Sequence, residues 1–218
     1  MNYAFGVEFV ELSLGDEQEQ RLPGENSVGL HGNTVLSRFP LEEIRIVRLP
    51  RLYDWFHDRE KRIGSRIAVV ARLSGTPLTV VSVHLENFTT PKGRRFQIER
   101  ILEAIEGPAL IGGDFNTLGR ADPDSASDSD KVQQKFDPLH PVAEEPLFGL
   151  LLEWGFRYER ANPIRVPTTP RGEKIDWAFV RDVEVVPGSP VVIPATAVDD
   201  PSWRVSDHDF LGLTILLP

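Results

Sequence analysis

The chain contains no cysteine. That absence excludes a disulfide scaffold, a thiolate–zinc site and a cysteine nucleophile. No apolar run is long enough to cross a bilayer as a helix. The opening residues, Met1-Asn2-Tyr3-Ala4-Phe5-Gly6, lack the basic and apolar regions of a signal peptide and read as the middle of a strand. Positive charge is scarce, with 24 Lys and Arg against 33 Asp and Glu and a formal net charge of −9. Such a balance disfavours adhesion of the whole surface to nucleic acid or anionic membrane, and leaves room for a local basic groove. Nothing repeats, and no linker separates two regimes of composition. What is present is ordinary for a globular chain: 40% hydrophobic and 26% charged over 218 residues, ample for a sizeable core.

Periodicity divides the chain into many strands and few helices. Around Val7 and Phe9 the pattern is that of a half-buried strand, followed by a polar, Gly-containing loop over 13–32. A short apolar run over 33–37 is closed by Arg38-Phe39-Pro40, and 43–49 alternates with Ile44 and Ile46 on one face. Residues 65–73 and 77–85 are rich in β-branched side chains and form a hairpin pattern about Ser74-Gly75-Thr76. Ile98, Ile101, Leu102 and Ile105 then fall at helical spacing, which predicts an amphipathic helix over 94–106, ended by Gly107-Pro108. A short apolar strand, Ala109-Leu110-Ile111, runs into Gly112-Gly113-Asp114. Leu147, Leu150, Leu151 and Trp154 mark a second helix stopped by Gly155, and strands are expected over 174–180, 183–186 and 210–217. The Asp- and Ser-rich stretch 121–130 reads as a surface loop or an insertion. Strands this numerous around one core predict a single α/β domain over 1–218 with sheets packed together.

Chemistry concentrates where apolar strands end. Val80-Val81-Ser82-Val83 runs into His84-Leu85-Glu86-Asn87, and Ala109-Leu110-Ile111 leads to Asp114-Phe115-Asn116. Asp176 sits inside an otherwise apolar strand, and Asp207-His208-Asp209 precedes another. Each has an ordinary explanation: a core histidine, a turn-forming Asp, a surface ion pair of Asp176 with Lys174 or Arg171, a capping Asp207. A charge within a buried strand, however, costs several kcal/mol unless it is paired or coordinated. Four such places predict that they meet at one site, with the inventory of metal-assisted phosphate ester hydrolysis.

These motifs resemble the endonuclease/exonuclease/phosphatase superfamily, which includes deoxyribonuclease-like and exonuclease III-like phosphoesterases. The matching elements stand in the family's order over nearly the whole chain. They are Gly32-Asn33-Thr34-Val35-Leu36-Ser37-Arg38-Phe39-Pro40, Val83-His84-Leu85-Glu86-Asn87, Gly113-Asp114-Phe115-Asn116-Thr117, Lys174-Ile175-Asp176-Trp177-Ala178-Phe179-Val180 and Ser206-Asp207-His208. The resemblance implies a four-layer α/β/β/α sandwich of two packed mixed sheets with the site at one rim. It also implies a phosphoric ester hydrolase dependent on Mg²⁺, with Mn²⁺ as the alternative ion. By the same resemblance His208 is the general base or polarises the attacking water, and Asp176 fixes its tautomer. Asp114 orients the nucleophile, Asn116 contacts the scissile phosphate, and Asp207 belongs to the metal site or its surroundings. His84 bonds a non-bridging phosphate oxygen, its charge offsetting that of the transition state. Glu8 is a candidate to orient His84, with an outward-facing strand residue as the alternative.

One segment of the family pattern has no counterpart. Members usually open with an Asn-bearing strand, a helix and a strand ending in Gln-Glu, whose Glu is the principal ligand of the Mg²⁺. Here the Tyr3 to Phe9 stretch corresponds to the family's next segment, and no acidic residue precedes it. The expectation is an N-terminally truncated chain or a misplaced start, with strands missing from one sheet. A genuinely short form that lost its metal is the alternative. Poor metal affinity, little phosphodiesterase activity and aggregation through unpaired edges are expected in consequence. A non-catalytic member that binds a phosphorylated ligand is the second functional reading.

The substrate classes the resemblance implies are nucleic acid, a small phosphodiester or a phospholipid. Arg59, Lys61, Arg62 and Arg66 come after Tyr53, Trp55, Phe56 and His57, a combination suited to backbone and base contacts. Interleaved Asp54, Asp58 and Glu60 favour a solvated charged loop instead. Lys92, Arg94 and Arg95 open the first helix, where Arg94 and Arg95 are candidates for substrate phosphate. A cytoplasmic monomer is expected.

Overall fold

The computed structural model describes residues 1–12, 29–58, 61–118, 136–197, 199–200 and 203–218. The stretch 121–130 and most of the loop expected over 13–32 lie outside the described residues. In chain order the elements are β1 (Asn2–Glu11), β2 (Gly29–Ser37), β3 (Leu41–Arg48), β4 (Arg62–Gly64), β5 (Ile67–Leu73), β6 (Thr79–His84), α1 (Pro91–Leu102), β7 (Ala109–Asp114), α2 (Pro141–Glu144), α3 (Pro146–Glu153), β8 (Asp176–Arg181), β9 (Glu184–Val185), β10 (Val191–Ile193), β11 (Phe210–Gly212) and β12 (Ile215–Leu216).

A five-stranded mixed sheet of order β3-β5-β6-β7-β8 carries the core. Its neighbours are antiparallel except β6 and β7, which run parallel and are joined through α1. β5 and β6 form the expected hairpin, and Gly75 in its turn takes φ 78°, where a side chain would be strained. Alternation along the strands sends Ala68, Val70, Val81, Val83, Ile111, Trp177 and Phe179 to one face. There they meet Ile98, Ile101 and Leu102 of α1 and Leu147, Phe148 and Leu151 of α3. The Phe148 ring meets Trp177 edge-on at 4.8 Å.

The opposite face packs on a second layer of strands. Ile67 and Val69 contact Ala4, with Val35 and Leu41 alongside. Ala178 and Val180 contact Val185, with Leu110, Leu211, Leu213 and Ile215 alongside. This is the layered α/β sandwich that the motifs imply. Among the described residues the second layer is hydrogen-bonded in three pieces, β2-β1-β4, β10-β11 and β12-β9.

Several boundaries differ from the sequence expectation. α1 starts at Pro91, where Thr90 caps it by accepting from the Gly93 amide at 3.2 Å, and it ends at Leu102 rather than 106. Ile105 remains buried just beyond its end. Trp154, expected on the buried face of the second helix, falls past the end of α3 and is 43% exposed. Ile44 is exposed because it lies in a bulge between Glu42 and Arg45, and Ile46, in regular register with Val69 on the edge strand β3, is exposed as well. The strand expected over 210–217 is two, β11 and β12, pairing with different partners. β4, α2 and β10 are too short to leave a periodic signal.

Candidate functional site

Strand register aligns three of the polar residues in one row. His84 ends β6, Asp114 ends β7 and Asp176 begins β8. His84 is the register partner of Asp114, and Asp114 is the register partner of Asp176. The row therefore lies at the carboxyl ends of the parallel pair, the rim where open α/β sheets bind ligands. Gly113 permits it: at φ 146° its backbone runs so close to β6 that a Cβ would sit 2.0 Å from the Val83 carbonyl oxygen.

His208 reaches the row from the loop before β11. Its Nδ1 lies 2.9 and 3.1 Å from the two Asp176 carboxylate oxygens. That hydrogen bond is the largest cause that raises the His208 pKa from 6.5 to about 9, against the opposing effect of burial. The neighbouring charges of Asp176, Asp114 and Asp207 add to the rise. The loop is fixed by groups whose role the sequence did not reveal. Asp209 accepts from Arg204 at 2.6 Å and from the Ala195 amide at 3.1 Å, and its own amide donates to the Thr168 carbonyl. Buried Thr168 holds the start of β8, its hydroxyl accepting from the amides of Ile175 and Asp176.

Asp114 stands between the two histidines. Its Oδ1 accepts from the Asn116 amide at 2.8 Å, and its Oδ2 lies 3.5 Å from His84 Nε2. Burial raises its pKa, Asp176 adds to this, and the two neighbouring histidines oppose it. Asn116 takes φ 48°, a left-handed conformation that Asn tolerates. One hydrogen of its side-chain amide is donated to the Leu85 carbonyl at 2.9 Å, which locks the side chain and leaves a second N–H. Asn116, Asn87, Asp207 and His208 line a cleft of about 230 Å³.

Behind His84 lies a buried ionic group. β1 bulges between Val7 and Phe9, so Glu8 and Phe9 both turn inward and both are buried. Glu8 is thus not an outward-facing strand residue, and its Oε1 is 3.1 Å from His84 Nδ1. Arg66 reaches the same place, with Nη1 2.8 Å from Glu8 Oε1 and 2.8 Å from His84 Nδ1. Burial alone would raise the Glu8 pKa, but His84 and Arg66 together hold it below the ordinary value. The sequence placed Arg66 only in a basic cluster; its position one residue before the apolar run Ile67-Ala68-Val69-Val70-Ala71 was the available signal.

Other expected residues are not brought to the row. Arg94 is fully buried and forms a two-point ion pair with Glu145 through Nε and Nη2. It is a structural cation between α1 and the start of α3, which corrects its assignment to substrate. Arg95 is half-buried and pairs with Glu99 one turn along at 3.3 Å. Asp207 is exposed at the cleft. Among the described residues, no three His, Asp or Glu side chains converge as metal ligands. The described donors therefore do not by themselves fit a bound divalent ion.

Comparison with known proteins identifies the family. A model of the endonuclease/exonuclease/phosphatase family matches residues 6–208. No curated protein matches the chain significantly. Solved structures share the fold at low identity. A protein of that family from Leptotrichia buccalis has a TM-score of 0.58 at 14% identity, covering 99% of this chain and 72% of its own. Humanized D. rerio TDP2 gives 0.56 at 19%, covering 98% and 76%. A conserved protein of unknown function from Enterococcus faecalis gives 0.56 at 16%, covering 100% and 77%. Members of the family are hydrolytic phosphoesterases and in general depend on a divalent metal. With nearly its whole length matched, this chain belongs to the endonuclease/exonuclease/phosphatase family.

Proposed function

We propose that the chain hydrolyses a phosphodiester by attack of water, with the His208–Asp176 pair handling the proton. The observation that carries this reading is the contact of His208 Nδ1 with both Asp176 oxygens, beside Asp114 and His84 in one row. Asp176 orients the ring so that Nε2 is the nitrogen left to take a proton from water. Asp114 orients that water, the free N–H of Asn116 meets a phosphate oxygen, and His84 Nε2–H meets another. Because the His208 pKa is raised to about 9, the proton-accepting form is a minority at pH 7 and hydrolysis rises with pH.

The reading calls for Mg²⁺ or Mn²⁺, with Asp207 as a candidate ligand at the cleft. The described donors do not complete a site, so the side-chain roles are assigned without the ion. The same observation favours the second reading, a member that binds a phosphorylated ligand without cleaving it. Among substrates, a small phosphodiester suits the surface better than a nucleic acid. Of the described cations in the basic–aromatic cluster, Arg62 pairs with Glu11 and Arg66 with Glu8, which leaves Lys61 as the exposed one. Trp55 is buried against Phe9. The test is hydrolysis of bis(p-nitrophenyl) phosphate with Mg²⁺, with Mn²⁺ and with chelator, by the parent and by His208→Ala. A fall of about 100-fold or more in the variant is expected on the usual contribution of a general base. Equal rates in parent and variant would show that His208 is not the base. No hydrolysis by the parent, with binding retained, would favour the second reading.

A further inference from the structure

Resting on the catalytic reading for His84 only where phosphate is concerned, we infer that Arg66 is a positioning residue: it keeps Nδ1 of His84 bare and leaves the proton on Nε2, the nitrogen on the side of Asp114.

Two groups compete for Nδ1, and they demand opposite protonation. Glu8 Oε1, at 3.1 Å, can only accept, so its contact requires a proton on Nδ1. Arg66 Nη1, at 2.8 Å, can only donate, so its contact requires a lone pair there. The same Nη1 carries two hydrogens and is also 2.8 Å from Glu8 Oε1. It can satisfy Glu8 with one hydrogen and His84 with the other. A proton on Nδ1 would instead oppose two donors at 2.8 Å, one of them on a group that stays charged at any working pH.

Arg66 cannot readily swing away. Its side chain is 4% exposed. The guanidinium lies 5.2 Å from the Phe9 ring centre and 5.5 Å from that of Trp55. Its Nε is 3.7 Å from Glu86 Oε2, and that oxygen is itself held by Trp55 Nε1 at 2.9 Å. On the Nε2 side of His84 the one facing charge among the described contacts is Asp114, whose Oδ2 at 3.5 Å suits a proton on Nε2. Glu8, Arg66 and Asp114 thus agree on one tautomer. In that tautomer His84 offers phosphate a hydrogen bond rather than the positive charge expected from the sequence.

Long-range ¹H–¹⁵N NMR of the ¹⁵N-labelled chain at pH 7 reads the proton position directly. The expected His84 pattern is one protonated nitrogen, Nε2, in the parent and in Glu8→Gln. In Arg66→Gln, Nδ1 passes to Glu8 and becomes protonated. The double variant Glu8→Gln/Arg66→Gln loses that proton again. A protonated Nδ1 in the parent overturns the inference, as does a switch of tautomer in Glu8→Gln, which would make Glu8 the determinant. Should Arg66→Gln fail to fold, the parent and Glu8→Gln spectra still decide. Hydrolysis of bis(p-nitrophenyl) phosphate is measured in parallel. An inactive parent with Nε2–H in place would sink the catalytic reading and leave the tautomer inference standing.

Discussion

Replacing Asp176 by Asn tests the electrostatics of the site at its strongest coupling. The substitution keeps the size of the side chain and removes the charge that faces His208 Nδ1 at 2.9 Å. In the parent, that bond and that charge are the main reasons the imidazole titrates at about 9 instead of 6.5. Without them, burial lowers the pKa while Asp114 and Asp207 still raise it. The midpoint should fall by roughly 2 units, toward the unperturbed value. At about 1.4 kcal/mol per unit, the pair contributes up to roughly 3 kcal/mol, and nearer 2 once its partial solvent exposure is allowed for.

Linkage sets the sign. The folded-state pKa lies above the unfolded one, so the stabilisation is complete below pH 6.5 and is lost as pH rises through about 9. NMR titration of the His208 ring protons measures the midpoint, and urea unfolding of parent and variant at pH 6 and pH 10 measures the stability. The parent should exceed the variant by about 2 kcal/mol at the lower pH and by little at the higher. A midpoint shift of under about one unit would refute the coupling, as would a stability gap equal at both pH values.

Three further outcomes check the packing that holds the site. Glu145→Gln leaves the fully buried Arg94 without its counter-charge and should destabilise by about 3–5 kcal/mol in urea; a loss under about 1 kcal/mol would mean that the cation finds water. Gly113→Ala forces a Cβ against the Val83 carbonyl and should cost roughly 2–3 kcal/mol, with His84 and Asp114 displaced and hydrolysis lost; a stable, active variant would contradict the close approach of β6 and β7. Among the described residues Lys174 has a buried Nζ with no hydrogen-bond partner, and burial lowers its pKa to about 8, so Lys174→Met should stabilise by about 1–2 kcal/mol below pH 8. That gain fades as pH rises toward 10.5, where the folded amine is uncharged and the unfolded one half charged, and an equal or larger gain at pH 10.5 would refute the desolvation argument.

Periodicity alone located the sheet and its first helix. The hairpin of β5 and β6, the helical spacing of Ile98, Ile101 and Leu102, and the run into Asp114 are all local patterns, and local patterns survive in a linear string. So did the polar residues at strand ends, since a charge inside an apolar run is conspicuous wherever it folds. Short elements such as β4 and β10 were illegible because three residues complete no period.

The string determined the class of fold, the order of the motifs and which side chains had chemistry to contribute. It left open pairing over distance. Arg94 reads as a cation for substrate phosphate until the turn before α3 brings Glu145 against it from 51 residues away. Arg66 reads as one of a basic cluster until β5 carries it between two aromatic rings and within reach of Glu8, 58 residues distant. Glu8 follows the inward alternation of Ala4 and Gly6, and Phe9 faces inward beside it only because one residue of β1 is left over in its pairing with β2, a surplus set by the partner strand. Register and burial are properties of two segments together. The tertiary structure alone could decide which cations face the cleft and which are spent holding it in place.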